Sequence, residues 1–455
     1  MDNKYNIELP DLLFLNIIFS KVTAIILVGG PSVGTRFRPL SLSLPKPLFP
    51  IAGEPIIRHH IDALVKVDSI KEILLVGFFE NEIFNRFLTE VQLSYPHVTF
   101  RYLREYQSLG TGGGLYHFRD EILAGNPDYF FVVHADIACS FPFNEFLEYH
   151  KSHKGSATIM GTKVKKEDAN RYGCLVSSET GEVTHYVEKP QSFVSDLISC
   201  GVYLFDPRIF EEMRKSVLDR RSIRDEEDEY GNVIYRLSGN ADVVRLEQDI
   251  LRPMAGTGNL FVYTLKENDF WMQIKTAEQA LPANNLYLHH LHKQPKPGHT
   301  RSSSCVVDAT QNANIPNVSY QANTPSRNQD FELVPPVYIH PTALIHPTAK
   351  IGPNVSIGPR VIIERGVRIK NAIILDGTEI KNDSLVMNAI VGWDSKLGSW
   401  SRVQGEPVMP NQADKSKSAS ILGKECKVAD EIVIRSCLVL PHKELKSSVH
   451  DEVVM

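Results

Sequence analysis

From residue 22 to about 205, short β-branched runs alternate with amphipathic stretches. The runs 23–28 (TAIILV), 72–78 (EILLVGF), 99–103 (TFRYL) and 129–136 (YFFVVHAD) predict strands. Between the first two, PIIRHHIDALVKV (55–67) carries apolar residues at helical spacing, with Pro55 suited to its first turn. Strands alternating with helices of this length predict an α/β domain, mainly parallel and covered on both faces. Such sheets bind ligands at the carboxyl ends of their strands. The glycine-rich segment after Val28 and the loop at Asp136 both fall there. The charged stretch 214–232 (RKSVLDRRSIRDEEDEYGN) reads as a solvated loop that interrupts this domain, which resumes at 242–251 and 260–288.

After a polar stretch rich in Pro, Ser and Asn (292–329), the period changes. Isoleucine recurs at 339, 345, 351, 357, 363 and 369, and Ala343, Ala349, Val355, Val361 and Val367 follow four positions after an isoleucine. Neither a helix nor a flat strand generates a six-residue step. A left-handed parallel β-helix does, with each hexad forming one side of a triangular prism and the isoleucine pointing inward. Gly352 and Gly358 fall where the chain would turn corners. The repeat loosens after Leu375 and runs on through Ile380, Val386, Val391, Leu397 and Val403 until a polar insertion, 404–420, interrupts it. The expected organisation is an N-terminal extension (1–21), an α/β domain (22–290), a linker (291–334) and a β-helix (335–455) carrying that inserted loop.

Composition adds exclusions. A net charge of -5 gives no reason to expect nucleic acid or an anionic membrane as partner. Six cysteines without CxxC spacing suit a reducing, cytoplasmic compartment better than a disulfide framework. The apolar segment LPDLLFLNIIFSKV (9–22) has a core too short to span a bilayer, and it lacks a basic n-region and a signal cleavage site.

The candidate chemistry starts at ILVGGPSVGTRFRPLSLSLPKPLFP (26–50). Glycines allow backbone amides to approach phosphate oxygens, and plain strand-exit turns use them as well. Arg36, Arg38 and Lys46 in the same span would repel one another unless an anion sat among them, and Pro45 and Pro47 hold Lys46 in a fixed segment.

GG…GTRFRPLSLSLPKPLFPIAGEPII resembles the signature of the sugar-phosphate nucleotidyltransferases. LGTGGGLYHFRD (109–120) is similar to their base-contacting loop, and YGCLV, YVEKP and SCGVYLF follow in the family's order. With the hexapeptide region, the likeness covers nearly the whole chain after residue 21. It is nearest to the mannose-1-phosphate guanylyltransferases, on the side of their alpha, regulatory subunits. The resemblance implies a Rossmann-like domain in which Gly29, Gly30, Gly34, Thr35 and Arg36 lie over nucleotide phosphates. It sets Lys46 against the leaving pyrophosphate and Gly110, Thr111 and Gly112 beside the base. Glu188 and Lys189 would hold the sugar phosphate, with Tyr172, Gly173 and Gly201 completing a GDP-mannose site. In active relatives the sugar-1-phosphate attacks the α-phosphate of the nucleotide in line, with magnesium between paired aspartates. Asp136 fills the first of those two positions.

Three features depart from the active pattern. In FWMQIK, Gln273 stands where the second aspartate belongs, and Lys275 replaces a glycine. Three residues, Pro31, Ser32 and Val33, separate the Gly-Gly and Gly-Thr-Arg pairs, where active relatives have one. Ser199 replaces an asparagine. Losing one electrostatic contributor typically costs about 100- to 1,000-fold in rate. The expectation is therefore a cytoplasmic regulatory subunit that binds GDP-mannose, with magnesium possible but not required. It would restrain a catalytic beta subunit in a hetero-oligomer, and the resemblance implies that 404–420 reaches towards that partner. The alternative is an active guanylyltransferase with Arg36, Lys46 and Asp136 as its catalytic residues. A third class, a scaffold that binds no nucleotide, predicts no stabilisation by GDP-mannose. His59 and His60, adjacent on one helix, read as structural, as do His340 and His346 at β-helix corners.

Overall fold

The computed structural model describes residues 20–30, 35–222, 225–227, 233–235, 243–293, 305–307, 332–408 and 418–455. Gly34, most of the N-terminal extension and most of the linker lie outside the described residues.

The first domain is built on β1 (Val22–Gly29), α1 (Ile56–Leu64), β2 (Ile70–Gly77), α2 (Asn81–Ser94), β3 (Thr99–Arg104), α3 (Gly110–His117) and β4 (Tyr129–His134). A short strand β5 (Ile137–Cys139), α4 (Phe143–Ser152), β6 (Ala157–Lys163), β7 (Gly173–Ser177), β8 (Val183–Glu188) and β9 (Leu197–Phe205) follow. The domain continues with α5 (Ile209–Ser222), β10 (Leu260–Thr264), β11 (Trp271–Gln273) and α6 (Ala280–Lys293). The sheet runs β8-β7-β9-β4-β1-β2-β3, with β6 paired to β9 and β10 paired to β6. It is parallel from β4 through β1 and β2 to β3. Beyond β4 it turns antiparallel through β9, so the sheet is mixed rather than mainly parallel. Apolar side chains fill both faces: one core gathers Ile26, Ile61, Phe131 and Phe146, the other Ile25, Phe130, Phe205 and Leu251.

Two local expectations need correction. Pro55 stands at the N-cap position of α1, paired with Pro50 beside the Ile51–Glu54 pair of a two-residue hairpin, rather than inside the helix. The charged stretch from 214 begins inside α5 and is not a loop through Ser222. Its helix is anchored by buried Ile209, Phe210 and Met213, which lie upstream of the charged run.

The C-terminal domain is a parallel β-helix. Val337 pairs with Val355, Leu344 with Ile362 and Lys350 with Arg368, each eighteen residues on, which is three six-residue sides per turn. From Val355 the step falls to seventeen, pairing with Ala372, and Arg368 pairs with Leu385. That single missing residue is why the hexad loosens in sequence. Ile351, Ile357, Ile363 and Ile369 are buried, with Val355, Val361 and Val367. Ile339 and Ile345 are half-buried because they lie in the first turn. Gly352 takes a left-handed φ of 108°, whereas at the next corner Arg360 does so (57°). Gly358 serves for space instead: a Cβ there would lie 2.7 Å from Asp376 Oδ1. Within the stretch read as linker, Cys305–Val307 forms a strand antiparallel to Val337–Ile339.

The two domains share a core. Phe37, Phe49, Ile51 and Met272 pack with Tyr338, Ile373 and Ile421. Buried Asn284 of α6 accepts from the Ala52 amide (2.8 Å) and the Ser356 hydroxyl (2.6 Å), linking the hairpin turn before α1 to the β-helix. His59 stacks on Tyr287 (3.9 Å between ring centres), and His60 sets its ring nitrogens 2.9 and 3.1 Å from the Ile56 and His134 carbonyls, donating to one of them. His340 and His346 are tied to Thr342 and Thr348 at their corners.

Candidate functional site

The site is assembled at the ends of β1 and β4. β1 closes on Gly29, whose φ of 71° turns the chain, and Gly30 follows with Phe78 so near that a Cβ would lie 2.6 Å from it. Thr35–Phe37 form a helical turn anchored by buried Phe37, which brings Arg36 to the rim. Among the described residues the Arg36 guanidinium has no carboxylate partner. Lys46 opens another short turn behind Pro45; buried Pro47 and Leu48 hold that turn down. Its ammonium donates to Asp136 Oδ2 and to the Ile274 carbonyl, each at 3.1 Å.

Asp136 lies between β4 and β5. Its carbonyl accepts from the Ile274 amide (2.8 Å), and β11 runs antiparallel to β5 with Gln273 opposite Ile137. That pairing brings the Gln273 side-chain amide over the Asp136 carboxylate, at 3.3 and 3.5 Å from its two oxygens. Burial pushes the Asp136 carboxyl up, but Lys46, then His134, and the Gln273 amide outweigh it and hold it below the usual carboxylate range. Lys275 extends beside this group with its ammonium 4.6 Å from the centre of the Tyr172 ring. Burial, then Lys189, lowers the Lys275 ammonium to about 8, while Asp136 works against them. Tyr172 itself is buried edge-on against Trp271, whose indole donates to the Cys200 carbonyl (3.0 Å).

Across the cleft, Gly173 and Glu188 pair between β7 and β8. Glu188 takes a hydrogen bond from Tyr186 (3.1 Å) and pairs with the Lys189 ammonium (2.7 Å). Gly201, at φ 72°, passes close to His134 and Ile137. Arg36, Asp136, Glu188 and Lys189 all lie near enough to Lys275 to bear on its ionisation, and with Tyr172 and Lys46 they form one neighbourhood.

The glycine loop at α3 is held differently from a free amide cradle. Gly110 is left-handed (74°), and the amides of Gly112 and Gly113 both donate to the Val244 carbonyl, at 3.0 and 3.1 Å. The Thr111 hydroxyl accepts from the Leu246 amide (3.1 Å). Next to it lies a cluster that sequence reasoning missed. Glu247 accepts from Tyr203 (3.0 Å) and faces His134 Nε2 at 3.5 Å. Burial pulls the His134 imidazole down, and Glu247 more than reverses it, so the net direction is up. In LEQDIL nothing local sets Glu247 apart from Gln248 and Asp249, so the sequence carried no signal for this cluster.

The donor set can be tested against magnesium, which takes oxygen ligands, normally including one or two carboxylates. The Asp136 carboxylate is engaged by Lys46, and the second position offers an amide. Among the described residues no three His, Cys, Asp or Glu side chains converge as a metal site. These residues do not fit a magnesium ion. No helix among the described residues is long and apolar enough to cross a membrane.

The sequence matches the family model described as Nucleotidyl transferase over residues 23–288 and that described as the GMPPB C-terminal domain over 333–455. The chain belongs to the nucleotidyltransferase family, in its mannose-1-phosphate guanylyltransferase branch. It is 45% identical to the mannose-1-phosphate guanylyltransferase regulatory subunit alpha-A of Danio rerio, over 95% of this chain and 99% of that protein. It is 43% identical to a probable mannose-1-phosphate guanyltransferase of Schizosaccharomyces pombe, with the same coverage. The regulatory subunit alpha of Homo sapiens is 40% identical, again with that coverage.

Proposed function

We propose that this chain is a cytoplasmic regulatory subunit that binds GDP-mannose and carries feedback inhibition to a catalytic guanylyltransferase beta subunit in a hetero-oligomer. One observation supports this above the others: Lys46 and Gln273 occupy the carboxylate that a reactive cation would need. The cationic rim of Arg36, Lys189 and Lys275 suits retention of a diphosphate. The names of the relatives from Danio rerio and Homo sapiens point the same way. Feedback requires that the nucleotide sugar bind one state of the assembly more tightly than another.

The active-enzyme reading draws on the name of the Schizosaccharomyces pombe relative and on the presence of Arg36, Lys46 and Asp136. Co-expression with a catalytic guanylyltransferase, with diphosphate release titrated against GDP-mannose, separates the readings. A regulatory chain makes the complex more sensitive to GDP-mannose than the catalytic subunit alone. An inhibition curve unmoved by this chain overturns the proposal.

A further inference from the structure

The space around Asp136 holds more positive charge than its own carboxylates balance. Four cations face it, Arg36, Lys46, Lys189 and Lys275, against Asp136 and Glu188, leaving two charges in excess. Lys46 and Lys189 have carboxylate partners. Arg36 and Lys275 have none among the described residues, and the contact of the Lys275 ammonium is the face of Tyr172. Cations held close together without carboxylate partners, Lys275 half-buried and Arg36 exposed, raise the free energy of the empty site and lower it again when an anion arrives.

The Lys275 ammonium is also held in position by its backbone. Its amide donates to Gln279 Oε1 (2.6 Å), and the same oxygen accepts from the Thr276 amide (3.1 Å) in a reciprocal cap. Ile274, one residue before, is clamped to Asp136 and Lys46. The chain is therefore fixed on either side of Lys275, and its side chain is confined between Tyr172 and the Asp136 group. An ammonium is a compact point charge with three donors, suited to bridging phosphate oxygens.

We propose that Lys275, with Arg36, is a built-in counter-cation for the ligand's diphosphate, so that this site takes a nucleotide sugar without a divalent metal. The two linked phosphates of a nucleotide sugar each carry one negative charge, which matches the two-charge excess. A divalent ion added to that site would leave it positive again. The proposal rests on the reading that the site binds GDP-mannose.

The test is titration calorimetry of the purified full-length chain with GDP-mannose, once with EDTA and once with magnesium chloride. The affinities are expected to agree within about twofold, and Lys275→Met to weaken both by about tenfold or more, the loss of one charge-assisted contact. Lys275→Arg should recover most of the affinity, and without ligand Lys275→Met should melt at or above the parent, because it removes one of the crowded charges. Binding that appears only with magnesium overturns the proposal, as does a Lys275→Met protein that binds like the parent. Absence of binding in both buffers overturns the GDP-mannose reading itself and the proposal with it.

Discussion

The Lys46 ammonium sits 3.1 Å from Asp136 Oδ2, and the same nitrogen bonds the carbonyl of Ile274, 228 residues along the chain. One side chain thereby joins the glycine-rich segment, the end of β4 and the segment after β11. The Asp136 carboxylate acts as a structural anion in this arrangement. Asp136→Asn should destabilise the fold by about 1–2 kcal/mol, less than a fully buried pair because both groups are partly exposed. It should leave GDP-mannose affinity equal or tighter, since it removes negative charge beside the diphosphate. Chemical denaturation and calorimetry read the two effects. A marked loss of affinity would instead mark Asp136 as a ligand-binding group.

The contact between the domains is expected to be rigid. Gly53 has φ 87°, and a Cβ on it would lie 2.1 Å from the Tyr338 ring. Gly53→Ala should cost about 1–3 kcal/mol through backbone strain and overpacking together. Tyr338→Ala should cost about 3–5 kcal/mol by cavity formation. Thermal melts check both, and a double variant that loses less than the sum of the two confirms that they act at one contact.

Acid should weaken the contribution of two buried histidines. Burial pulls the His60 imidazole down to about 4 and that of His150 to about 3. An unfolded histidine titrates near about 6.5, so below that pH the unfolded chain binds more protons than the folded one. The stabilisation from neutral His60 and His150 is full above that value and is lost as pH falls through it towards 4. This contribution lowers the denaturation midpoint between pH 7.5 and 5, against an opposite one from Glu105, whose carboxyl burial pushes up to about 7, so the comparison of parent with a His150 variant carries the assignment. His150→Gln should flatten part of the drop; an equal slope in both proteins contradicts the assignment.

The insertion in the β-helix is expected to be dispensable for folding. Its stem is already closed by the Glu406 amide donating to the Ser418 carbonyl (3.0 Å), while Arg402 pairs with Val433 across it. Replacing 409–416 with a short Gly-Ser turn, which keeps Val408 on the inter-domain core, should move the melting temperature by no more than about 2 °C, because loop length enters stability only logarithmically. A large loss would show that the insertion itself completes the coil.

The six-residue step was plain in sequence because one residue type marks one position of each prism side, and the buried isoleucines follow it. The parallel half of the sheet was equally legible from its β-branched runs. The antiparallel half was not, since strand direction depends on pairings between β4 and β9 that no local pattern encodes. The start of α5 was hidden because its apolar anchors, Ile209, Phe210 and Met213, precede the charged run that drew attention. At the site, Gln273 and Lys275 could be noticed as departures from a family pattern. The Glu247, His134 and Tyr203 cluster could not, because three separate segments meet there only in the folded chain.

The central claim is that this chain grips a diphosphate without carrying out transfer. Diphosphate release by the isolated full-length protein, given GTP, mannose 1-phosphate and magnesium, tests it most directly. The expected rate is indistinguishable from the protein-free control, while GDP-mannose still raises the melting temperature of the same sample. Sustained turnover that Asp136→Ala abolishes would contradict it.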